Sequence, residues 1–191
     1  MFALLSLLTV APPAVAQTHD VATAEYQRLH GEMRRLSQRR AWSGLERAYV
    51  GASQTGIALS FEDHLHGATA ANELGNVDET RKRLWKAHQL REDRQVIEWL
   101  WTIDTGYGQV ELAVDQGREG LIIDDPPFEP VARMAIGNAQ AKLDDEGTYT
   151  GLLPLGDYQL GAASFAVAGQ AWRPVKVDVR SEPTRGWFKR R

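Results

Sequence analysis

The chain has 191 residues, 22 basic and 25 acidic side chains, a net charge of −3 and no cysteine. The missing thiols exclude disulfides, thiolate metal sites, a cysteine nucleophile and the cysteine that bacterial lipoproteins acylate. Charge is uneven along the chain: 12 basic and 13 acidic residues from 17 to 105, 6 and 11 from 106 to 180, and 4 and 1 from 181 to 191. The broad basic face of a nucleic-acid binder is absent, so no nucleic-acid partner is expected.

Residues 1–16 read as a secretory signal peptide. An apolar run from Phe2 to Val10 precedes Pro12-Pro13, and Ala14-Val15-Ala16 offers an A-x-A cleavage site before Gln17. No Lys or Arg precedes the run. It is shorter than the ~20 residues a membrane-spanning helix needs. The expectation is an exported protein, periplasmic or secreted.

Residues 17–105 carry a helical rhythm. Ala22, Tyr26, Leu29, Met33 and Leu36 stack on one side of a first helix, with Asp20 as its expected cap. Gly31 within it costs ~1 kcal/mol relative to Ala, so the helix needs a packing partner. Trp42, Leu45 and Tyr49 mark a second helix. Ser60-Phe61-Glu62-Asp63 predicts a capping box opening a third, which closes at Leu74-Gly75. Asn76-Val77-Asp78 turns into a fourth through Leu90, and Asp93 starts a fifth that ends near Gly106. Five short helices with tight turns predict antiparallel hairpins.

From Gly106 the period becomes two. Val110, Leu112 and Val114 alternate with Glu111, Ala113 and Asp115, and Leu121-Ile122-Ile123 adds a second strand. A helix is expected from Pro130 to Leu143. Strands follow at 148–152, 158–160, 165–167 and 175–179, separated by glycine turns. The expected whole is α+β: helical hairpins beside an antiparallel β-sandwich (106–180) with one inserted helix, then a tail at 181–191.

Two stretches carry family resemblances. Ala68, Ala71, Leu74-Gly75-Asn76-Val77, Thr80, Leu84, Ala87 and Leu90, with Trp42, Leu45 and Tyr49 before them, resemble tetratricopeptide repeats, though Glu46 replaces the usual Gly and no proline closes the unit. Gly147-Thr148-Tyr149-Thr150-Gly151-Leu152-Leu153-Pro154-Leu155-Gly156-Asp157-Tyr158-Gln159-Leu160 is similar to the core motif of prealbumin-like sandwiches, the carboxypeptidase regulatory and PEGA modules. The second resemblance implies a noncatalytic surface module.

The expected function is therefore a noncatalytic envelope or periplasmic protein-interaction module without cofactor or metal. Its partner-binding residues are Trp99, Trp101, Arg81, Arg83 and Arg91, because Trp and Arg anchor interfaces. Trp99 and Trp101 cannot share one side of a helix, so at least one is exposed. The tail residues Trp187, Phe188, Lys189, Arg190 and Arg191 suit an anionic membrane surface or an acidic partner.

Two other readings compete. A hydrolase or metal-dependent enzyme would use Glu62, His64 or His66. His64 and His66 point to different sides of a helix, whereas Glu62 and His66 share one, and two ligands make a poor zinc site. A carbohydrate-binding sandwich would need an aromatic platform near Tyr107, Tyr149 or Trp172. Phosphate loops and the G-x-S-x-G elbow are absent, and the acidic runs Asp124-Asp125 and Asp144-Asp145-Glu146 lack a calcium-loop spacing.

Overall fold

Helix α1 (Ala14–Gln38) buries Leu29 and Met33 and half-buries Tyr26 and Leu36, the face its spacing predicts. The computed structural model describes residues 14–115, 120–169 and 173–180, with side chains in α1 from Asp20 onward. Asp20 does not cap α1. The helix begins six residues earlier, since nothing between Ala14 and Asp20 is a Gly or Pro that would stop it. The expected cleavage point between Ala16 and Gln17 falls within α1, and residues 1–13 of the expected leader lie outside the described residues.

Helix α2 (Trp42–Gln54) packs Leu45, Ala48, Tyr49 and Ala52 against α1. Helix α3 (Phe61–Glu73) opens on the predicted capping box: Ser60 Oγ accepts from the Asp63 backbone N–H, and the Asp63 carboxylate accepts from the Ser60 N–H. Gly67 lies against Tyr49 so closely that a Cβ there would overlap the ring. The α3 turn ends at Gly75, whose φ of +73° is a left-handed conformation. Helix α4 (Val77–Leu90) is capped by Asn76 and helix α5 (Arg94–Gly106) by Asp93, each side chain accepting from backbone N–H groups of the first turn.

At Tyr107 the chain passes from helix into strand without a loop. Strand β1 (Tyr107–Ala113) and strand β2 (Leu121–Ile123) precede helix α6 (Pro130–Glu146), which starts on proline and ends at left-handed Gly147. Strands β3 (Thr148–Pro154), β4 (Gly156–Leu160), β5 (Ala163–Val167) and β6 (Val175–Asp178) follow. They form two three-stranded sheets, ordered β3-β1-β6 and β2-β4-β5. The architecture is α+β, a helical N-terminal region followed by small sheets.

The sheets depart from the all-antiparallel expectation. β1 pairs antiparallel with β3, Tyr107 opposite Pro154, but parallel with β6, Val110 opposite Val175. The chain leaves β5 in one sheet and enters the other beside β1, running in the same direction. The expected inserted helix, α6, is part of the core. Its Ala139 and Leu143 join Val110 and Leu153 of one sheet and Tyr158 and Leu160 of the other in a single core.

A second cluster runs across the change of rhythm. Phe61, Leu84, Leu100 and Ile103 of the helices pack with Tyr107, Ala132, Ala135 and Leu152 of the C-terminal region. Asn138 of α6 also donates to the Leu74 carbonyl at 2.9 Å, where a Cβ on Gly75 would collide with Met134 and Ala135. Buried apolar area is thus continuous through residue 106, and burial of this kind stabilises by about 25 cal/mol per Å².

Candidate functional site

Antiparallel helices joined by tight turns bring α3 and α5 to the two walls of one cleft. The walls are apolar where Phe61 and Leu65 face Val96 and Trp99, and the cleft is a cavity of about 330 Å³. Arg91, in the turn after α4, lies with its guanidinium 3.5 Å from the centre of the Phe61 ring. It makes long ion pairs to Glu62 at 3.3 Å and Asp93 at 3.8 Å and is half exposed. A half-exposed cation over an apolar floor can bind a carboxylate while an adjoining side chain enters the cleft.

The expected partner-binding residues divide into three places. Arg91 and Trp99 line this cleft together. Trp101, two residues on, is 68% exposed beside the exposed Ile97, one turn away, as the spacing requires. Arg81 sits at the border of a different cavity between α2 and α4 and is held by Asp104 of α5 at 2.6 Å.

Arg83 corrects the sequence reading. It is not presented for a partner: its side chain is 5% exposed, forked onto Glu46 at 2.5 and 2.6 Å, and bonded to the Gly67 carbonyl at 2.8 Å. Its guanidinium also lies 4.2 Å from the centre of the Tyr49 ring. Burial opposes its charge, but Glu46 outweighs that and raises the guanidinium further above its ordinary range. Arg83 is an internal strut joining α2, α3 and α4.

The residues of the enzyme reading do not converge. Glu62 is exposed and pairs with Arg91. His64 is buried, with Nδ1 3.0 Å from the Tyr49 hydroxyl. His66 is half buried on another side of α3. Burial lowers both imidazoles below their ordinary value, and cationic Lys86 lowers His64 further. Among the described residues, no group of three or more His, Cys, Asp or Glu is placed to hold a metal ion.

Asp63 gathers partners that the sequence reading missed. The fully buried carboxylate accepts from the Tyr26 hydroxyl at 2.6 Å, His30 Nδ1–H at 2.7 Å, and the Ser60 N–H and hydroxyl at 2.9 and 2.8 Å. Burial alone would raise its pKa. The hydrogen bonds prevail and hold the carboxyl below its ordinary range. Tyr26 and His30, four apart on α1, share the face that meets α3, and that spacing was the available signal.

Among the described residues, the aromatic platform of the carbohydrate reading is not assembled. Tyr107 is buried, the Tyr149 hydroxyl donates to the Leu152 carbonyl at 3.1 Å, and burial raises the Tyr149 phenol to about 12. Trp172 lies outside the described residues, as do tail residues Trp187, Phe188, Lys189, Arg190 and Arg191. Among the described residues, no helix is long and apolar enough to cross a membrane. No protein-family model, curated protein or solved structure matches the chain.

Proposed function

We propose that the chain is a noncatalytic protein-interaction module of the bacterial envelope or periplasm, with a TPR-like helical part supported by a prealbumin-like sheet platform. One observation carries this reading: Arg91 and Trp99 line one cavity with Phe61 and Val96, joining a cation to an apolar cleft. Such a cleft suits a peptide segment that inserts one apolar side chain and sets a carboxylate against Arg91. Continuous packing across residue 106 supports the role given to the sheets, since a rigid backing lowers the entropy lost on binding. Export and contact of the tail with an anionic membrane or acidic partner belong to the same proposal and rest on sequence alone.

Selection of a displayed random-peptide library on the purified chain tests it. The expected peptides pair an aromatic or aliphatic residue with a nearby Asp or Glu, and Arg91→Ala weakens their binding about tenfold, the worth of one charged hydrogen bond. No enrichment, or binding indifferent to Arg91→Ala, contradicts the proposal.

A further inference from the structure

The α2–α4 cavity and the loop between β2 and α6 have complementary chemistry. The cavity, about 520 Å³, has Val50 and Trp85 as apolar walls and the cations Lys82, Arg83 and Lys86 along α4, with the acid Glu79 one turn before Arg83. Trp85 is 41% exposed. Arg83 and Lys82 are already paired with acids of this chain, whereas Lys86 makes no ion pair among the described residues. The loop reads Asp124-Asp125-Pro126-Pro127-Phe128-Glu129, and its Phe128 is 94% exposed, the most exposed large apolar side chain described. Asp125 and Glu129 are exposed and make no ion pair among the described residues. The two prolines restrict the backbone before Phe128, so little conformational entropy remains to be lost on docking.

We propose that this loop of one copy seats Phe128 between Val50 and Trp85 of a second copy, with Asp125 and Glu129 set against Lys86 and Lys82. Phe128 is almost fully exposed in its own chain, and Val50 and Trp85 give the cavity apolar walls to receive it. Acids flank the ring on one partner, and on the other the cleft carries Arg81, Lys82, Arg83 and Lys86 against the one acid Glu79. Lys82 and Lys86 stand one helical turn apart, roughly 6 Å along the axis, a spacing that two acids flanking one aromatic side chain can meet. Loop and cavity are different surfaces, so the contact is head to tail and grows into short oligomers. One side chain and two charge pairs make a small interface, so association is weak and falls with salt.

Sedimentation equilibrium of the purified chain, from about 10 μM to about 1 mM, covers the range in which such contacts populate. The expected result is a weight-average mass that rises above 21.3 kDa with concentration and returns to it at high salt. Phe128→Ala and Lys86→Glu each abolish the rise, and mixing Lys86→Glu chains with Asp125→Lys chains restores it. All three positions are exposed, so circular dichroism of the variants matches the parent. A monomer throughout the range overturns the proposal, whether or not the cavity takes an acidic peptide instead. So does association that survives either Phe128→Ala or Lys86→Glu.

Discussion

Glu46 of α2 and Arg83 of α4, 37 residues apart, meet in a two-pronged ion pair with both terminal guanidinium nitrogens, Nη1 and Nη2, within 2.6 Å of carboxylate oxygens. The fork fixes the packing of three helices, because the same guanidinium reaches the Gly67 carbonyl of α3. Glu46→Ala leaves the buried guanidinium only the Gly67 carbonyl and the more distant Glu79 carboxylate, 3.7 Å away. It should destabilise the chain by about 2–4 kcal/mol, toward the lower part of the range for broken buried pairs because Glu46 keeps some contact with water. Urea denaturation checks this, and Glu46→Leu with Arg83→Met should recover much of the loss.

Two glycines in helices should respond in opposite directions. Gly67→Ala drives a methyl group into the Tyr49 ring and should cost about 1–3 kcal/mol, as overpacking does. Gly31→Ala meets nothing within 4 Å on α1 and should stabilise by roughly 0.5–1 kcal/mol. Thermal melts of the two variants beside the parent decide it.

Acid should weaken the fold in two stages. His64 and His66 have folded-state pKa values below their unfolded ones, so the unfolded chain takes up protons first. Their contribution is complete above about pH 6.5 and is lost as pH falls from there through the lower folded values. Asp63 adds a second loss below its ordinary pKa of 3.8, as the carboxylate that holds Tyr26 and His30 takes up its proton. Urea midpoints between pH 7.5 and 3 should fall monotonically, and His64→Gln should flatten the upper stage.

The neighbouring tryptophans of α5 should separate stability from surface. Trp99 packs against the buried cluster, so Trp99→Ala should cost about 2–3 kcal/mol, less than a fully buried aromatic. Trp101→Ala should change stability by less than about 0.5 kcal/mol. Chemical denaturation of the two variants checks the difference.

Local chemistry made the helices legible. The Ser60 and Asp63 capping box, the Asn76 and Asp93 caps, and the face from Tyr26 to Leu36 all lie within a few residues of the groups they serve. The strand pairing was not, since alternation at Val110 and Leu112 states which face is buried and not which neighbour lies alongside or in which direction. The site was half legible for the same reason. The spacing of Trp99 and Trp101 announced one exposed indole, but burial of Arg83 depends on Glu46, far away in the chain. Asp20 failed as a cap because the helix-compatible residues before it let α1 start earlier.

In the proposed complex a partner segment enters the α3–α5 cleft between Arg91 and Trp99. A ¹⁵N-resolved NMR titration with a library-selected peptide, following the indole N–H signals of the six tryptophans, reads that entry. Saturable movement of the Trp99 signal, with Trp101 and Trp85 unmoved, is the predicted result. Saturable movement confined to the other indoles, or none at any of them, would contradict it.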